Sequence, residues 1–156
     1  MTVIVWDGET LAADKQATDD GIRRTITKIR RVAKGKNKGH LMGGSGAATQ
    51  ANVMMDWYAA GAVPDHFPRY QDDNNLSAVL TVVTTEGLIL RYEYTPVPIV
   101  FEDAQYCTGS GRDIAYGALH MGANAVEAVQ VVSEFMSDCG MGVDAIRLHE
   151  KKARKK

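Results

Sequence analysis

Cysteine is scarce in this chain: Cys107 and Cys139 are the two among 156 residues, and they stand far apart with no CxxC spacing. That suits reduced thiols and a cytoplasmic setting rather than a disulfide framework. The four histidines (His40, His66, His120 and His149) show no HExxH or paired-ligand spacing, so no zinc site is expected. No run approaches the roughly 18 apolar residues of a membrane helix, and no charged-then-apolar secretory start is present. With a net charge of −1 there is no overall field pointing to nucleic acid or membrane. The charge is nevertheless uneven. Arg23, Arg24, Lys28, Arg30, Arg31, Lys34, Lys36 and Lys38 follow one another with no acid between them. No aromatic interleaves them to stack on bases, so a solvated strand pair is expected rather than a nucleic-acid surface.

What remains is an ordinary soluble composition, 45% apolar and 24% charged. The length fits one domain that buries about two-thirds of its unfolded surface. That domain is expected over 1–149, with a polar, basic C-terminal tail over 150–156. Thr2 to Trp6 is β-branched and aromatic and predicts a strand. Asp7-Gly8 turns the chain, and Glu9 to Asp14 returns as the second strand of a hairpin. Asp19-Asp20-Gly21 is a further turn, and Thr25 to Ala33 alternates as one strand. His40 to Ser45 predicts a strand running into Gly43-Gly44-Ser45-Gly46. A helix over Ala47 to Ala60 follows, with Ala47, Ala51, Met54, Met55 and Tyr58 on one stripe. Pro64 to Asn75 reads as a loop. Leu76 to Thr85 and Leu88 to Tyr94 form a second hairpin, and short strands are predicted at Ile99 to Glu102 and Gln105 to Thr108. Two helices come next, Arg112 to Met121 and Ala125 to Met136. The second is capped by Asn124 and has Val126, Val129, Val132 and Phe135 on one face. Val143 to Leu148 closes the chain as a strand. Strands and helices come in blocks rather than in strict alternation, which favours an α+β layered sandwich with antiparallel sheets.

The residue types with chemical potential begin at Thr2. A threonine there is small enough for routine removal of Met1, leaving a hydroxyl and a free α-amine on one Cα. An α-amine titrates at roughly 7.7–8.0, so near neutral pH a usable fraction acts as a base. A threonine activated by its own terminal amine is a known nucleophile. Taken one at a time, Asp14 reads as a surface acid, Lys28 as a solvated strand lysine and Ser110 as a helix N-cap.

Read together, these residues fall into one pattern. The chain resembles the proteasome β-subunit family, and within it the HslV-type peptidases. The resemblance is carried by Thr2 before an apolar strand, and by Leu11-Ala12-Ala13-Asp14-Lys15-Gln16-Ala17-Thr18. It continues through Thr27-Lys28-Ile29-Arg30-Arg31-Val32 and Leu41-Met42-Gly43-Gly44-Ser45-Gly46. Thr108-Gly109-Ser110-Gly111 and Gly142-Val143-Asp144-Ala145-Ile146 complete it. Each motif is weak alone, but their common order from Thr2 to Leu148 is specific. The chain departs from the family in its shorter N-terminal hairpin, in Val3 where a second threonine is usual, and in Gly44 where a bulky apolar residue is usual. It also has a single lysine, Lys28, where HslV has two adjacent.

The resemblance implies a four-layer αββα sandwich and a threonine-type endopeptidase of the N-terminal-nucleophile class. Thr2 would be nucleophile and, through its amine, general base. Lys28 would lower the pKa of that amine and hydroxyl by its charge, and Asp14 would pair with Lys28. The N–H of Gly43 would form the oxyanion hole, with Gly44 as a competing donor. Ser110 would hydrogen-bond near the amine, and Asp138 or Cys139 would give further support. Ala17, Ile26, Ser45 and Thr49 would line a substrate pocket and, being small or apolar, favour uncharged side chains. The implied assembly is a homo-oligomeric ring or double ring acting on peptide or unfolded protein with an ATP-dependent unfoldase. No cofactor is implied. The family leaves room for a structural cation in the loop Cys139 to Gly142, where no ligand-rich spacing supports one. Two alternatives stand beside this reading: an inactive structural ring subunit that retains Met1, and an N-terminal-nucleophile amidase acting on a small amide.

Overall fold

The computed structural model describes residues 1–69 and 77–150. Within the expected loop Pro64 to Asn75, residues 70–75 lie outside the described residues. So do Leu76, the expected start of a strand, and the tail Lys151 to Lys156.

The chain folds as β1 (Val3–Trp6), β2 (Thr10–Asp14), β3 (Gln16–Asp19), β4 (Ile22–Thr25), β5 (Ile29–Arg31), β6 (Leu41–Gly46), α1 (Ala48–Ala59), β7 (Ala78–Val83), β8 (Ile89–Tyr92), β9 (Ile99–Phe101), β10 (Tyr106–Gly109), α2 (Arg112–His120), α3 (Ala125–Phe135) and β11 (Val143–Arg147), with a 3-10 turn at Pro64–His66. The class is α+β, and every strand pairing is antiparallel. One sheet has the order β10-β1-β2-β11, a second runs β5-β6-β7-β8-β9, and β3-β4 is a separate hairpin.

The N-terminal hairpin is set by its turn. The Asp7 carboxylate accepts the N–H groups of Glu9 (2.9 Å) and Thr10 (2.8 Å), an Asx-type turn that fixes the β1–β2 register Ile4↔Ala13. Its second oxygen accepts Ala125 N–H at 2.8 Å, so the same side chain also anchors the start of α3. There Asn124 and Glu127 form a reciprocal capping box.

Three apolar clusters show how the elements pack. Met54, Met55, Trp57 and Tyr58 of α1 pack with Met42, Leu80, Val82 and Tyr92 of the five-stranded sheet. Ala115 and Leu119 of α2, with Ala128, Val129 and Val132 of α3, pack with Val3, Val5 and Ala12 of the four-stranded sheet. The other faces of the two sheets share a third cluster containing Ile4, Trp6, Leu11, Ala13, Ile29, Leu41, Val83 and Ile89. A strand alternates its side chains between faces, so β1 feeds two cores at once: Val3 and Val5 one way, Ile4 and Trp6 the other. This is why its sequence is apolar throughout.

Two expectations are corrected here. Thr25 to Ala33 is not one strand. It breaks after Thr25, where the Ile26 N–H turns to the Lys15 carbonyl at 2.8 Å, and pairing resumes at Ile29. Phe135, expected on the inner face of α3, is 72% exposed at the last turn, while Ala125 and Ala128 take buried positions.

Candidate active site

The site lies where β1 starts and β2 ends. The β1–β2 register ends at Ile4↔Ala13, which leaves the side chain of Asp14, the last residue of β2, within reach of the Val3 N–H. The Asp14 carboxylate is fully buried and its two oxygens take four donors. Oδ1 accepts Lys28 Nζ at 2.8 Å and Val3 N–H at 3.0 Å, and Oδ2 accepts Gln16 N–H and Gly140 N–H, each at 3.1 Å. The break after β4 is what brings Lys28 to it. Lys28 sits just before β5, its carbonyl accepts Gly44 N–H at 3.0 Å, and its ammonium turns inward to Asp14 and to the Met1 carbonyl at 3.0 Å. Side-chain exposure is 4% for Lys28 and 0% for Asp14, so the pair holds its geometry away from water. A buried pair of this kind is stable only with its remaining hydrogen bonds satisfied, and here main-chain N–H groups serve Asp14 and the Met1 carbonyl serves Lys28.

Thr2 is buried between this pair and the loop after β10. Its nitrogen lies 3.2 Å from Ser110 Oγ, and its carbonyl accepts Gly111 N–H and the Ser110 hydroxyl, each at 3.3 Å. With Met1 attached, the Thr2 nitrogen is a peptide amide, so it marks where an α-amine would stand after Met1 is removed. Gly109 makes the close approach possible. Its φ is +90°, and a methyl there would run into the Thr2 carbonyl.

Cys139 Sγ is 3.9 Å from Ser110 Oγ. Its thiol is pushed up chiefly by burial and then by the Asp14 charge, which keeps it protonated and makes it a poor nucleophile. Burial pushes the Cys107 thiol up to about 12. Both cysteines are free and buried.

Of the expected catalytic residues, Thr2, Asp14, Lys28 and Ser110 come together and Gly43 does not. The β5–β6 ladder joins His40 to Val32 and Gly44 to Lys28, so even-numbered N–H groups of β6 face β5. Ala47 N–H bonds Ser77 on the other side, so odd-numbered ones face β7. Gly43 N–H therefore points into the sheet toward β7, and a methyl on Gly43 would meet Ile4 at 3.0 Å in the inter-sheet core. Gly44 N–H is engaged by Lys28. Gly46 keeps the β5-facing parity but lies past the end of β5. It is exposed and lines both spaces that adjoin Thr2.

The larger space, about 630 Å³, is lined on the Ser110 side by Thr2, Ser45, Ser77, Arg91, Thr108 and Arg112 among others. The smaller, about 30 Å³, lies on the Lys28 side and includes Ile26, Ala48, Asn52 and Met55. Ser45 and Ile26 thus line spaces beside Thr2. Ala17, half-buried on β3, and Thr49, exposed on α1, line neither. Sequence reasoning missed Gly46, Gly140, Arg91 and Arg112. The one signal was the Gly43-Gly44-Ser45-Gly46 run, whose donor could not be chosen without the strand register.

In the loop Cys139 to Gly142, the Gly140 and Gly142 carbonyls accept Lys15 N–H at 3.0 and 3.2 Å. Among the described residues no group of three His, Cys, Asp or Glu is placed to hold a metal ion. No helix among them is long and apolar enough to cross a membrane.

No protein-family model and no curated protein sequence matches the chain. Solved structures do. Eukaryotic HslV from Trypanosoma brucei is similar with a TM-score of 0.65 at 20% identity, over 94% of this chain and 98% of that one. BPH of Thiobacillus denitrificans, solved in complex with epoxomicin, is similar with a TM-score of 0.67 at 19% identity, over 96% of this chain and 100% of that one. The fold of this chain is therefore of the HslV and proteasome β-subunit type.

Proposed function

We propose that the chain is a threonine-type peptidase subunit of a self-compartmentalising ring, with Thr2 as nucleophile once Met1 is removed. The observation that carries the reading is the buried Asp14–Lys28 pair, whose ammonium and carboxylate grip the main chain on both sides of Thr2 while Ser110 meets its nitrogen. The freed Thr2 amine takes the hydroxyl proton as Oγ attacks a peptide carbonyl. The amine then passes that proton to the leaving nitrogen as the C–N bond breaks. Water hydrolyses the resulting ester with the amine again as base. Positioned general-base help is worth about 10²–10⁴-fold. Lys28 favours the neutral amine through its charge, and Asp14 holds Lys28 in place. We assign the oxyanion donor to the N–H of Gly46, whose parity and exposure suit it. One such donor is typically worth about 2.7–4 kcal/mol.

The three apolar clusters fit a four-layer αββα sandwich, with α1 outside one sheet and α2 and α3 outside the other. By likeness to HslV we infer a homo-oligomeric ring or double ring, peptide or unfolded protein as substrate, and an ATP-dependent unfoldase as partner. The test is turnover of a fluorogenic peptide panel by the ring fraction from size-exclusion chromatography with light scattering. Cleavage that disappears in Thr2→Ala supports the reading. A stable monomer, or cleavage that persists in Thr2→Ala, overturns it.

A further inference from the structure

The two spaces beside Thr2 are unequal in size and in charge, and the proposed mechanism gives each a side of the cut. Attack forms the Thr2 Oγ–carbon bond, and collapse breaks the C–N bond and needs a proton on the departing nitrogen. The Thr2 nitrogen holds that proton, and it faces Ser110 at 3.2 Å. The leaving half of the substrate therefore departs on the Ser110 side, into the cleft of about 630 Å³. That volume falls within the usual small-ligand range of about 300–1,000 Å³. The acyl half remains beside Lys28, against Ile26, Ala48 and Met55.

Among the described residues, the charged side chains that line the leaving-side cleft are basic, with their acidic partners set outside the lining. Arg91 and Arg112 line it, and no acidic residue does. Arg91 sits on β8 across from Thr81 and is anchored from behind, with Nη2 2.6 Å from Glu93 and Nη1 3.4 Å from the Tyr106 hydroxyl. Its Nε is shielded from water and has no hydrogen-bond partner. Arg112, at the start of α2, donates Nη1 to the Gly109 carbonyl at 3.1 Å and holds Nε 3.5 Å from the exposed Asp113 carboxylate, which keeps it beside the Thr2 loop while its side chain stays 54% exposed. Guanidinium groups present planar donor pairs that match a carboxylate.

We propose that this cleft selects substrates whose leaving half bears a carboxylate close to the cut. The proposal rests on the peptidase reading above. The carboxylate has two sources of the same chemistry: an acidic side chain within the first two residues after the cut, or the C-terminal carboxylate of a short leaving stub.

The experiment uses the processed, assembled protein and peptides with one fixed acyl half. The first and second residues after the cut are varied among Asp, Asn and Lys, each with a free or an amidated C-terminus, and cleavage is read by mass spectrometry. A hydrogen-bonded charge raises kcat/KM by about tenfold for Asp over Asn, falling as salt is added. Preference for Asp whatever the terminus assigns the side chain. Preference for the free terminus alone assigns the terminal carboxylate. In Arg112→Gln, at an exposed position where folding is secure, the carboxylate-to-amide ratio falls toward one, and Arg91→Gln gives the same readout from the other wall. Cleavage with equal rates for Asp, Asn and Lys and for both termini overturns the inference and leaves the peptidase reading standing. No cleavage of any peptide overturns both.

Discussion

Replacing Asp14 with asparagine tests the construction of the site without relying on turnover. In the native chain four donors converge on the carboxylate: Lys28 Nζ and Val3 N–H on one oxygen, Gln16 N–H and Gly140 N–H on the other. A carboxamide has one oxygen, so either orientation of its amide sets an NH₂ against two donors. It also leaves the Lys28 ammonium, 4% exposed, without its counter-charge. Breaking a buried pair from one side costs about 3–5 kcal/mol. For a domain of this size 1 kcal/mol moves Tm by roughly 2–4 °C, so Asp14→Asn is expected to lower it by roughly 6–20 °C. Removing the stranded charge as well, in Asp14→Asn/Lys28→Met, should restore part of the loss. The cycle of the two single variants and the double variant should then show coupling above about 1 kcal/mol. The assay is chemical and thermal unfolding at a fixed protomer concentration, because assembly stabilises by mass action. An Asp14→Asn variant within about 1 kcal/mol of the parent, or strictly additive single variants, would refute the reasoning.

Four further outcomes follow from the geometry. Gly46→Ala places a methyl at φ +90° against the Ser77 carbonyl and is expected to abolish peptide turnover in whatever fraction folds. Gly43→Ala crowds Ile4 in the core and should cost about 1–3 kcal/mol while retaining measurable turnover; a Gly43→Ala chain that folds fully but is inactive would restore Gly43 as the donor. Neither Cys107 nor Cys139 should react with a thiol reagent at pH 7.5 in the native protein, and both should once it is unfolded, because burial raises both thiols; rapid native labelling would contradict this. Asn124→Ala removes the capping box of α3 and should lower stability by about 1 kcal/mol in denaturant titration, a loss that an unchanged midpoint would exclude.

How much of this was legible in the sequence differs by element. The apolar β1, the Asp7-Gly8 turn and the stripe of α1 follow directly from residue type and period, because each buries a face that its pattern announces. The β3–β4 hairpin was hidden. All of β4 is exposed, so no apolar face marks it, and the alternation from Thr25 to Ala33 runs unbroken through a point where the chain turns away. Phe135 shows the limit of helical period. The stripe is continuous in sequence, but burial along α3 stops at Val132 and Phe135 is left exposed. At the site, Thr2, Asp14, Lys28 and Ser110 come from four distant segments, and no spacing rule joins them; the family resemblance did. That the oxyanion donor could not be chosen from the glycine run has a plain physical origin. Which N–H of a strand faces which neighbour depends on register and parity, and a run of glycines carries neither. Arg91 and Arg112 gave no signal because what matters about them is a shared cleft.

The central claim is that Thr2, freed of Met1, is the nucleophile, and the most direct measurement is the intact mass of the assembled protein after incubation with a peptide epoxyketone. The account predicts a mass lacking Met1 and carrying one inhibitor per chain, with no adduct in Thr2→Ala. A chain that keeps Met1 and takes no inhibitor, or an adduct that survives Thr2→Ala, would contradict it.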